Sequence, residues 1–105
     1  KLYHDGNMTA RSVEQTKVFE AAALFARTEG TLPAPESSHA IRVAIDEALK
    51  CKETGEEKNI IFGCTGTGYF DMSAYAAYNE GRMSDYIPTD EDLEKGFATL
   101  PKVDL

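Results

Sequence analysis

The chain has 105 residues, 42% of them apolar and 28% charged, with eleven Lys plus Arg against eighteen Asp plus Glu. That make-up belongs to one globular domain and excludes a disordered or fibrous segment. The net charge of −7 repels phosphate backbones and anionic lipid headgroups, so nucleic acid and membrane are not expected partners.

No apolar run approaches the ~18 residues of a membrane span, and the opening residues lack the basic-then-apolar order of a secretory signal. A cytoplasmic protein is expected. Cys51 and Cys64 form no CxxC pair and are too few for a disulfide scaffold, which suits reduced thiols. The first residue is Lys1 and not Met, so the chain reads as a piece of a longer protein.

In chain order, residues 1–7 read as a turn around Gly6, and Met8 to Val13 as a short strand. A helix is predicted from Glu14 to about Glu29, with Val18, Ala22 and Phe25 on one face, Ala21 and Leu24 widening it, and Gly30 ending it. The Pro-rich stretch Thr31 to Pro35 fits a brief extended piece at a sheet margin. Ser37 or Ser38 then caps a second helix in which Ile41, Ala44, Ile45, Ala48 and Leu49 recur at helical spacing, and Gly55 stops it.

The continuous apolar run Asn59 to Cys64 predicts a strand buried on both faces, followed directly by a Gly-rich loop, Thr65 to Gly68. Asp71 caps a third helix to about Glu80. Thr89 and Asp92, at capping-box spacing, open a short last one to about Ala98. This alternation predicts an α/β fold: a small three-layer parallel sheet with helices on both faces, in a single domain over residues 1–105. Three strands leave open sheet edges, which again points to a missing remainder or a partner.

Two segments could carry chemistry. Gly63 to Gly68 would lie at the carboxyl end of a strand, where ligands of parallel sheets bind. It is not a P-loop, because Tyr69 and Phe70 stand where Lys and Ser or Thr would be, and it does not complete a dinucleotide fingerprint. Glu36-Ser37-Ser38-His39 opens a helix on the same side, although Ser37 or Ser38 could simply cap and Glu36 favour the helix dipole. Cys64, with His39 as base and Glu36 or Asp71 as orienter, would make a nucleophilic site, but Phe62 stands where a nucleophile elbow needs Gly. Tyr69, Tyr75, Tyr78 and Tyr86 could line a pocket or serve as packing groups.

The stretch EGTLPAPESSHAI at residues 29–41 resembles a signature of the tryptophan synthase beta chain. The preceding QTKVFEAAALFART and the following FGCTGTGYFDMSAY are similar to its second, indole-salvaging branch, and YNEG and PTDEDLEKGF fit the same branch. The resemblance covers roughly residues 13–80 and implies the carboxy-terminal part of a fold-type II pyridoxal phosphate enzyme. Such an enzyme joins L-serine and indole into L-tryptophan by β-replacement, and the family forms dimers.

By that resemblance Glu36 matches the glutamate beside the cofactor ring, and Thr65 the Ser or Thr at the pyridine nitrogen. Glu36, Ser37, Thr65 and Gly66 are then one wall of the cofactor pocket. A neutral hydroxyl at that nitrogen leaves it unprotonated and favours elimination from the β carbon. The family's Schiff-base lysine motif, phosphate cup and acid–base glutamate do not occur in these residues, and no metal ligand set is expected. The chain should therefore need the missing amino-terminal part and be inactive alone. Two other readings stand beside it: a Cys64/His39 hydrolase, and a noncatalytic interaction module.

Overall fold

The computed structural model describes residues 1–102, so the last three positions of the expected 1–105 domain lie outside the described residues. It divides into two compact units: residues 13–85, and residues 1–12 together with the described residues from 86 on.

In the first unit, helix α1 spans Gln15–Glu29 and helix α2 spans Pro35–Thr54, and the two pack on each other. Both end where the sequence predicts, at Gly30 and Gly55, whose N–H groups close back onto the carbonyls of Ala26 and Cys51. A 3-10 turn, Gly68–Asp71, leads into helix α3, Met72–Asn79, which also touches α1. The core gathers Phe19, Ala22 and Tyr75, with Leu32, Ala74, Tyr78 and Met83 against them. The Phe19 ring meets Tyr75 edge-on at 5.1 Å and stacks on Tyr78 at 6.0 Å. Such aromatic pairs add to the burial of apolar area, which drives folding.

In α1 the buried face is Val18, Phe19, Ala21 and Ala22. Phe25 is only half-buried and Leu24 is exposed, so the predicted stripe is rotated toward Phe19. The rotation follows from α3, which supplies Tyr75 and Tyr78 on that side. The start of α1 is held from a distance. Glu14 makes no side-chain cap, and the Asp85 carboxylate accepts hydrogen bonds from the Thr16 N–H and hydroxyl, both at 2.8 Å. These bonds and nearby Lys17 hold the Asp85 carboxyl below its ordinary range. Gln15 Nε2 adds a bond to the Ser84 carbonyl at 3.3 Å.

The second unit contains helix α4, Asp90–Phe97, opened by the predicted capping box. The Thr89 side chain accepts from the Asp92 N–H, and Asp92 accepts from Thr89 and from the Tyr86 hydroxyl. Residues 1–7 form the expected turn, with the Asp5 and Asn7 N–H groups bonded to the carbonyls of Lys1 and Leu2.

The parallel sheet is not formed: among the described residues there is no strand, neither at 8–13 nor at 31–35 nor at 59–64. A strand is defined by a neighbour that takes its backbone hydrogen bonds, and among the described residues no backbone pairs with residues 59–64. Their backbone groups make no hydrogen bond among the described residues. The run nevertheless keeps a strand's alternation of faces. Ile61 is 94% exposed, while Phe62 turns back to meet the Phe25 ring edge-on at 6.2 Å. No helix among the described residues is long and apolar enough to cross a membrane.

Candidate functional site

The two segments singled out in the sequence meet. Proline at the start of α2 is favoured because the first helical N–H has no partner to lose, so Pro35 begins the helix and Ala34 occupies the N-cap. This corrects the expectation that Ser37 or Ser38 caps it. Both serines lie inside the first turn, past the cap position, and are buried, which frees their hydroxyls for other partners.

The Ser38 Oγ donates to the Ala34 carbonyl at 2.9 Å. The Ser37 Oγ reaches across to the Gly-rich loop, donating to the Thr65 carbonyl at 2.6 Å and accepting the Thr65 N–H at 3.0 Å. Further along the loop the Gly68 N–H donates to the Leu32 carbonyl at 3.0 Å, and the Tyr75 hydroxyl to the Pro33 carbonyl at 2.5 Å. Burial pushes the Tyr75 phenol above its ordinary range, so it stays a donor.

Glycine is required twice in this loop. A Cβ on Gly68 would stand 2.6 Å from the Pro33 carbonyl oxygen, 2.8 Å from Leu32 and 2.9 Å from Tyr75. Gly66 has φ +73, in the left-handed region, and its Cβ position is 3.3 Å from the Ala34 Cβ. The loop thus lies directly on the Leu32–Ala34 backbone. Thr67 caps the 3-10 turn by accepting the Tyr69 N–H, whereas Asp71 makes no cap for α3.

Of the residues expected at the site, Ser37, Thr65 and Gly66 are brought together on this face. Glu36 precedes Ser37 in the first turn of α2, with its side chain exposed. Thr65 is exposed and its hydroxyl takes part in no hydrogen bond among the described residues, its backbone alone being engaged by Ser37. Cys64 and His39 are both exposed, and no hydrogen bond joins them among the described residues. Tyr75 and Tyr78 are packing groups, and Tyr69 and Tyr86 are exposed. Sequence reasoning missed the Tyr75–Pro33 and Gly68–Leu32 bonds. No local pattern signals them, since the Tyr75–Pro33 bond joins residues 42 positions apart.

Tryptophan synthase beta chain 2 of Aquifex aeolicus is 64% identical over 85 residues, covering 81% of this chain and 20% of its own length. The sequence is related to tryptophan synthase beta chains. The chain of the same name from Methanosarcina acetivorans is 60% identical over 83 residues, 79% of this chain and 19% of its own. That from Pyrococcus furiosus is 48% identical over 100 residues, 95% and 22%. The chain therefore spans about one fifth of the tryptophan synthase beta chains it matches. No protein-family model matches it.

Proposed function

We propose that this chain is the carboxy-terminal segment of a pyridoxal phosphate-dependent, fold-type II enzyme of the tryptophan synthase beta kind, cytoplasmic and dimeric in its intact form. Its residues form one wall of the cofactor pocket, and the intact enzyme joins L-serine and indole to give L-tryptophan. The observation that carries the reading is the Ser37–Thr65 pair of hydrogen bonds, which unites the Glu36 and Thr65 segments on one face.

The residues fit the cofactor. Ser37 and Ser38 have each committed their single proton to a carbonyl, while Thr65 keeps its own, so of these three hydroxyls Thr65 can meet a ring nitrogen. Gly66, lacking a side chain, lets the loop backbone approach closely, and the Glu36 carboxylate lies open at the start of α2. Bound there, pyridoxal phosphate supplies the electron sink for replacement at the β carbon of serine. The neutral Thr65 hydroxyl leaves the nitrogen unprotonated, where a carboxylate would favour the charged form.

The chain alone lacks the lysine motif that the resemblance assigns to the missing amino-terminal part, so it is inactive by itself. Mixing the purified chain with pyridoxal phosphate, serine and indole tests this. No tryptophan and no borohydride-fixed adduct are expected. Tryptophan formation, or one cofactor fixed to one lysine of this chain, overturns it.

A further inference from the structure

Ser37 is 6% exposed and donates its hydroxyl proton to the Thr65 carbonyl, so it has none to offer a ligand. One of its lone pairs is taken by the Thr65 N–H. Both bonds go to the backbone of one residue, the residue whose own hydroxyl is left without a bond among the described residues. The neighbouring Gly66 sits in the left-handed region against Ala34, and the Gly68 N–H is fastened to Leu32. A loop with such permissive glycines has many conformations open to it, and without a fastening at its start the direction of the Thr65 hydroxyl would be unset.

We propose that Ser37 is a positioning residue that does not touch the cofactor. By holding the Thr65 peptide on both its N–H and its C=O, it fixes the direction of the Thr65 hydroxyl, and its whole effect on cofactor binding passes through that hydroxyl. The inference rests on the pocket proposed above and deepens it: through Ser37, α2 orients the loop, and the Thr65 hydroxyl on that loop meets the ring nitrogen. Ser37 lies on a helix packed against α1, a firmer support than the exposed loop it holds.

The test is a chimera of the Aquifex aeolicus relative carrying this chain in place of its matching fifth, with Ser37→Ala, Ser37→Thr, Thr65→Val and the double variant. In the cofactor-free protein, Ser37→Ala is expected to speed hydrogen exchange at the Thr65 amide roughly tenfold, the scale of one lost hydrogen bond, while α1 exchange is unchanged. Ser37→Ala and Thr65→Val should each weaken pyridoxal phosphate binding and shift the absorbance maximum of the bound cofactor. Ser37→Thr, which keeps the hydroxyl, should restore both. In the Thr65→Val background, Ser37→Ala should add almost nothing, because its route is already cut.

Equal weakening by Ser37→Ala in both backgrounds overturns the inference and leaves the pocket standing. Unchanged exchange at Thr65 in Ser37→Ala also overturns it. Unaltered cofactor binding in Thr65→Val overturns the pocket itself, and the positioning role falls with it.

Discussion

The Ser37 hydroxyl and the Thr65 peptide are joined by two hydrogen bonds, at 2.6 and 3.0 Å, across 28 positions of sequence. The Ser37 side chain is short and its partner is backbone, so the bond pair sets the loop close against the first turn of α2. The backbone groups at Thr65 would otherwise have to find water or another partner.

The tightest point of that contact lies at Gly68. Gly68→Ala forces a methyl within 2.6 Å of a backbone carbonyl that cannot swing away, and threatens the bond from the Gly68 N–H to Leu32. Overpacking of this kind costs roughly 1–3 kcal/mol or more. Urea unfolding should show the loss, and Gly63→Ala, with nothing within 4 Å of its Cβ position, should unfold almost as the parent does.

Phe19, 4% exposed and flanked by two tyrosine rings, is the largest apolar group in the core cluster. Phe19→Ala should cost about 3–5 kcal/mol, a large part of the roughly 5–15 kcal/mol that holds a native protein folded. Far-ultraviolet circular dichroism should therefore show helix loss at temperatures where the parent is folded.

Tyr75 titrates in the alkaline range. Burial raises its phenol in the folded chain, so above the ordinary tyrosine value of about 10 the unfolded chain loses its proton first. The unfolded state then binds fewer protons, and stability falls as pH climbs from there toward the folded value. Denaturant midpoints across this window should drop more steeply in the parent than in Tyr75→Phe.

Asp85 acts at the other end of the scale. Its carboxyl is lowered first by the Thr16 N–H and then by the Thr16 hydroxyl. The stabilisation is present above the ordinary carboxylate value of about 3.9 and is lost as pH falls through the folded value. Asp85→Asn should flatten that part of the acid unfolding curve and raise hydrogen exchange in the first turn of α1. An acid limb identical to the parent's would show that Asp85 is not the remote cap of this helix.

The helix ends and the α4 capping box were legible in the residues because they depend on neighbours within four positions. Thr89 and Asp92 need only each other, and Gly55 closes on Cys51 whatever the rest of the chain does. The Glu36 and Thr65 segments were legible as candidates through resemblance and residue type. That Ser37 ties them together was not, since a serine in the first turn of a helix looks the same whether it caps, packs or bridges.

Sequence by itself determined the places where α1, α2 and α4 run and stop, because a helix completes its hydrogen bonds within its own length. Tertiary structure decided everything that needs a distant partner. It turned α1 so that Phe19 meets Tyr75, brought Asp85 to the start of α1, and set Thr65 on Ser37. It also left Asn59–Cys64 extended without a strand's partners, because an apolar pattern can propose a strand but only a second backbone alongside can make one.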